Sequence, residues 1–226
     1  MLQVEAKARR TQEERRTQTR RLLLEATLAC LAELGYSGTT TLEVERRAGV
    51  SRGARSHHFQ NKAELLASAC DMLYERLSER YTSAFAPSLL RASARQRIRA
   101  GLAELFTIYQ HAHFSAVIEL WLAARTDPDL RAALKVSADR HRQLAIDAAA
   151  HLFPRLHASV AARLIESIHV AFVGLRMIDG VTGDAEHTKM VLTTLEDMIV
   201  LQVEREETSD GENRKQPSER RGSRRP

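Results

Sequence analysis

One short stretch constrains this chain more than any other. Residues 39–66 read TTTLEVERRAGVSRGARSHHFQNKAELL, and the breakers in it leave little choice of structure. A helix begins near Thr41, with Thr39 or Thr40 as N-cap and Leu42, Val44 and Ala48 as its buried positions. Gly49 makes a sharp turn because little side chain is tolerated there. Ser51 caps a second short helix, Arg52 to His58. Phe59 then turns back toward the helix that precedes the stretch, and a long helix opens at Lys62 after Gln60 or Asn61.

Two short helices across a glycine turn form a helix-turn-helix, and the second is shaped to enter a DNA major groove. The remaining periodicity is also helical. A first helix spans about Glu13 to Leu34, carries Leu23, Ala26, Thr27, Cys30, Leu31 and Leu34 on one side, and stops at Gly35. Later helices are expected at about 62–83, 93–110, 114–124, 128–151, 158–179 and 185–204. Pro87 and Pro154 break the chain, while Asp127-Pro128 supplies an N-cap and a first helical position. No strand-period run stands out, so the expected fold is all-α with about nine helices.

Charge is placed unevenly. Residues 1–60 hold 11 Lys/Arg against 7 Asp/Glu, whereas residues 61–203 hold 16 of each. The positive excess therefore lies with the helix-turn-helix, where a polyanion would need it. The N-terminus is too charged for a signal peptide. No 18-residue apolar run is read, so no membrane span and a cytoplasmic protein are expected. Cys30 and Cys70 fall on apolar helix faces, as reduced core thiols do.

The segment from Arg20 to Leu66 resembles the DNA-binding domain of TetR-family regulators. The matching features are Leu23-Leu24, Ala26, Gly35-Tyr36, Thr40, Val44, Ala48-Gly49-Val50-Ser51, Gly53, His58-Phe59, Lys62 and Leu65. The resemblance implies a three-helix DNA-binding domain at 13–61, after a flexible basic arm at 1–12. It implies a helical-bundle domain at 62–204 for ligand binding and dimerisation, and the tail 205–226 reads as disordered. It implies a homodimer on a near-palindromic double-stranded operator, and a repressor released by a small-molecule effector. No cofactor, metal or enzymatic activity is implied.

Arg52, at the start of the recognition helix, is the candidate base reader, since Arg pairs bidentately with guanine; a phosphate contact is its alternative. Gly53 and Ala54 let the backbone approach the bases. Ser51, Ser56, His57 and His58 complete the expected DNA face, with Thr40 and Lys62 as phosphate clamps at helix N-termini. The resemblance departs at three positions: Ser56 stands where the family usually has Tyr, Arg55 where it has an apolar residue, and Glu45 where it has a small one. A lone buried Glu is costly, so Glu45 and Arg55 are expected to compensate as an ion pair between the two helices.

The effector pocket is expected among Met72, Phe106, Tyr109, Phe114, Ile118, Trp121 and Leu122, with His111, His113 and Glu119 as polar anchors. Its apolar lining suits a lipophilic ligand. The spacing of His111 and His113 is expected to hold their rings apart, a poor start for a metal site. The dimer interface is expected on the two last helices, at Leu164, Ile168, Phe172, Leu175, Val191, Leu195, Met198 and Ile199. A rival reading is a helical dimeric interaction protein whose helix-turn-helix no longer binds DNA. A helical enzyme is disfavoured, because no nucleophile–base pair, metal triad or phosphate loop occurs at usable spacing.

Overall fold

Helix boundaries fall where small polar side chains can take over orphan backbone N–H groups. The computed structural model describes residues 11–84 and 91–215, so most of the basic arm, Pro87 and residues 216–226 lie outside the described residues. Nine α-helices and no strand occur among the described residues. They are α1 Gln12–Gly38, α2 Thr41–Ala48, α3 Arg52–His58, α4 Lys62–Ala84, α5 Ala94–Tyr109, α6 Ala112–Ala123, α7 Pro128–Leu152, α8 Ala158–Thr182 and α9 Ala185–Lys215. Thr11 and Glu14 close a capping box on α1, and Ser93 and Gln96 do the same on α5.

The chain divides into two compact units. The first joins residues 1–73 to 116–137, and the second joins 74–115 to 138–226. The division falls inside α4, α6 and α7, so the unit that carries the helix-turn-helix also owns the corner between α6 and α7. A single boundary at residue 61 or 62 misses this, because sequence order does not say which helix returns to pack on which.

In the first unit, α1 packs on α2 and α3. Leu23, Leu31, Val44, Phe59, Leu65 and Leu66 are almost fully buried. Each such side chain contributes roughly 1.5–3 kcal/mol of burial. Both cysteines are buried free thiols, and burial pushes the Cys70 thiol up to about 12. Leu42 was expected inside but is 75% exposed. On a two-turn helix, Val44 and Glu45 take the inner face, and Leu42 faces outward. Leu34 is likewise exposed. Gly35 breaks α1 where expected, with φ 67°, but a further turn runs to Gly38 before Thr39 caps it.

In the second unit, α5 packs on α8 and α9, and α8 on α9. Arg99 reaches Glu196 at 3.0 Å and Arg95 reaches Asp197 at 3.0 Å. α9 continues to Lys215, past the expected end near Glu204. Glu204, Arg205, Glu206 and Glu207 are good helix formers and no Pro intervenes before Pro217, so composition alone misjudged this segment. α8 is long and apolar enough to cross a membrane, with mean hydropathy 1.4 over its most apolar window. The expectation that no such stretch exists is thus corrected: its polar side chains are spaced too widely to break the run. Two of them are used inside the unit: His169 Nδ1 lies 2.5 Å from the Tyr109 hydroxyl, and Arg176 Nε donates to Ser115 Oγ at 3.1 Å.

Candidate nucleic-acid interface

The turn between α2 and α3 is built by Gly49. It sits in the left-handed region, φ 64° and ψ 33°, and its N–H and that of Val50 close back on the carbonyls of Arg46 and Glu45. Thr40 Oγ1 accepts from the Glu43 N–H at 3.2 Å, so Thr40 and not Thr39 caps α2. Thr39 is buried and donates its hydroxyl to the Gly35 carbonyl. Ser51 Oγ accepts from the Ala54 N–H at 3.2 Å and starts α3.

Behind this turn lies the pair that the two unusual charges suggested. Arg55 Nε donates to Glu45 Oε1 at 3.0 Å, and both residues are buried. Arg55 Nη1 also donates to the Phe59 carbonyl. The guanidinium thus joins α2, α3 and the exit of α3, and neither charge is left alone in the core.

The outward face of α3 presents Arg52, Gly53, Ser56 and His57 to solvent, with Ala54 and His58 half-buried. The Ser56 hydroxyl donates to the Arg52 carbonyl at 2.9 Å, so its proton is spent on the helix and its oxygen alone faces out. Burial, more than the neighbouring charges of His57, Arg16 and Arg20, lowers the His58 pKa. Arg16 and Arg20, four apart on α1, therefore belong to the same positive surface, and Arg20 lies over the Phe59 ring at 5.4 Å. Arg20 was missed because it was read as part of a core helix; its i,i+4 spacing from Arg16 was the available signal. On α2 the cations are neutralised instead. Glu43 binds Arg46 and Arg47, and Arg47 also binds Glu33.

Lys62 does not stand free at the start of α4. Its Nζ donates to the Tyr36 carbonyl at 3.4 Å and sits over the Tyr36 ring at 4.4 Å. Desolvation lowers its pKa.

The expected pocket residues are divided between the two units. Phe106, Tyr109 and Phe114 join Phe172 in an aromatic cluster, with Tyr109 at 5.2 Å from Phe172 and 4.0 Å from Phe114 between ring centroids. Ile118 is core, Met72 and Trp121 are half-buried, and Leu122 is half-exposed, all in the first unit. A cavity of about 60 Å³ lies in the second unit, lined chiefly by Ile98, Leu102, Leu105, Phe153, Leu156, Leu164, Ile165, Ile168, Ile199 and Val203, with Arg97 on its wall. None of the expected residues lines it. The clustered aromatic rings of the second unit pack on one another. His111 and His113 stack at 4.7 Å, against expectation, because His111 precedes α6 and is not bound to helical spacing. Glu119 is no pocket anchor; its carboxylate accepts the Tyr36 N–H.

Of the residues assigned to the dimer interface, Phe172, Leu175 and Ile199 are buried in the chain's own core, and Leu164 and Ile168 line the cavity. Met198 is exposed, and Val191 and Leu195 are half-buried. The helical stripe was read correctly as apolar, but its inner side packs within the chain.

Residues 23–69 match the family described as bacterial regulatory proteins, tetR family. The regulator CymR of Pseudomonas putida is 39% identical over 134 residues, 59% of this chain and 64% of its own length, so the chain spans just under two thirds of that relative. A BetI regulator of Paraburkholderia phymatum is 30% identical over 183 residues, 79% of this chain and 90% of its own length. This chain belongs to the TetR family. It is a DNA-binding transcriptional regulator. A transcriptional regulator from Pseudomonas aeruginosa shares the fold, with TM-score 0.61 and 23% identity over 89% of this chain and 96% of that one. The multidrug binding protein EbrR, solved with imidazole, does so at TM-score 0.59 and 21% identity, over 78% and 93%. The rival reading without DNA binding rested on Glu45 and Ser56 together; in this TetR-family chain Glu45 is paired with Arg55.

Proposed function

We propose that the chain works in the cytoplasm as a homodimeric repressor that leaves its operator when a small lipophilic molecule binds. The observation that carries this reading is an apolar face with no cover. Val170, Met177, Ile178 and Val181 on α8 and Met190, Met198 and Leu201 on α9 are all exposed, Val181 at 88% and Leu201 at 65%. Seven large apolar side chains exposed on two adjacent helices are more than scattered surface residues would leave, and a second copy would cover them. A two-fold axis through it pairs α8 and α9 with their counterparts. A dimer carries two recognition helices, one for each of two half-sites roughly 34–36 Å apart, and a change in their separation would unseat both.

The effector reading rests on the apolar cavity of the second unit. Its wall is hydrocarbon except at Arg97, whose guanidinium lies over the Phe153 ring at 5.1 Å. A protein of the same fold is named a multidrug binding protein and was solved with imidazole, a small organic molecule. The test is sedimentation with DNA titration. The wild-type chain is expected to sediment as a dimer and to shift a duplex selected from a random library. Val170→Glu with Leu201→Glu is expected to give a folded monomer with much weaker binding. A wild-type chain that stays monomeric on DNA would overturn the dimer reading.

A further inference from the structure

Glu119 and Asp127 lie far along the chain from the helix-turn-helix, yet both hold Tyr36. The break at Gly35 takes the Tyr36 N–H out of the helical ladder, and Glu119 Oε2 accepts it at 2.9 Å. A Cβ at Gly35 would stand 2.6 Å from that same oxygen. Position 35 is thus doubly restricted, by its positive φ and by the carboxylate laid against it. The Tyr36 hydroxyl donates to Asp127 Oδ2 at 3.2 Å, while Asp127 Oδ1 caps α7 by accepting the Leu130 N–H at 2.9 Å. The Tyr36 carbonyl and ring take the Lys62 ammonium. One residue is gripped through its N–H, its hydroxyl, its carbonyl and its ring, by α4, α6 and the cap of α7.

Tyr36 stands four residues before Thr40, the cap of α2, and its carbonyl holds the side chain that opens α4. Fixing Tyr36 therefore fixes the entry to the helix-turn-helix and the seat of Lys62 together. We infer that Glu119 and Asp127 are positioning residues for DNA binding, acting through Tyr36, and that the corner between α6 and α7 sets the pose of the DNA-contacting helices. The inference rests on DNA binding alone, not on the dimer or effector reading above.

The test uses the full chain and a duplex that the wild type selects from a random library. Glu119→Ala is expected to weaken binding about tenfold, within the range by which residues remote from a ligand modulate its affinity. The slope of log Kd on log salt stays that of the wild type, since no phosphate-contacting cation is removed. Glu119→Gln keeps an acceptor oxygen and restores most of the affinity. Tyr36→Phe removes only the hydroxyl and is expected to weaken binding by a smaller factor, with Asp127→Ala adding little on top of it. Circular dichroism checks that each variant is folded. A folded Glu119→Ala that binds like the wild type overturns the inference. So does a loss that Glu119→Gln shares in full, or Tyr36→Phe and Asp127→Ala effects that simply add.

Discussion

Arg55 Nε meets Glu45 Oε1 at 3.0 Å across the α2–α3 turn, with 9% and 8% of the two residues exposed. A buried pair of this kind adds little over a well-packed apolar pair, but it is expensive to break from one side. Glu45→Ala alone is expected to cost about 3–5 kcal/mol, because it leaves the guanidinium buried without a counter-charge. Glu45→Ala combined with Arg55→Leu is expected to recover most of that loss. Urea unfolding of the two variants measures both. Equal stabilities for the single and the double variant would show that the pair is not coupled.

Gly49 offers a cleaner test of backbone strain. Among the described residues nothing lies within 4 Å of where its Cβ would stand, so the cost of a side chain there is conformational. Gly49→Ala is expected to lose about 1–2 kcal/mol, and Gly49→Asn less, because Asn visits the left-handed region more readily. Thermal melts of the two variants rank them.

Arg52 and the Arg16–Arg20 pair predict different losses. Arg52→Ala is expected to cost about 1–3 kcal/mol and to relax preference at one base step. Arg16→Ala or Arg20→Ala is expected to weaken all sequences alike and to lower the salt slope by about one. Titrations against a panel of point-substituted duplexes at several salt concentrations separate the two patterns. Uniform loss for Arg52→Ala would make it a phosphate contact.

Glu43 gives the acid limb of stability a source. Hydrogen bonds from Arg46 and then Arg47 hold its carboxyl at about 2, below the ordinary 4.5. The folded chain therefore releases this proton more readily than the unfolded one. The stabilisation is whole above pH 4.5 and fades as pH falls toward 2. Glu43→Gln is expected to flatten that part of the stability–pH profile and to leave the profile above pH 5 with an unchanged slope, as unfolding midpoints across pH will show.

Much of the DNA-facing element was legible without coordinates. Gly49 at the turn, Ser51 as cap, the Asp127-Pro128 start of α7 and the compensating Glu45 and Arg55 all follow from rules that act over a few residues, or from a charge that cannot stand buried alone. Leu42, Glu119 and Lys62 did not follow. An apolar residue on a two-turn helix has no long stripe to show which side is inside. A carboxylate 83 residues from its partner leaves no periodic trace.

By itself, then, the sequence determined where most helices start, that the fold is all-α, and which short element carries the family's helix-turn-helix pattern. Caps, turns and helical periodicity are local, and their energies are settled within a turn or two of helix. Tertiary structure alone decided that Tyr36 is held by Glu119 and Asp127, that the cavity avoids the aromatic cluster, and that Phe172 and Leu175 face inward while Val170 and Val181 do not. An apolar stripe shows that a helix has a side to bury; only the helix packed against it determines which side chains are covered.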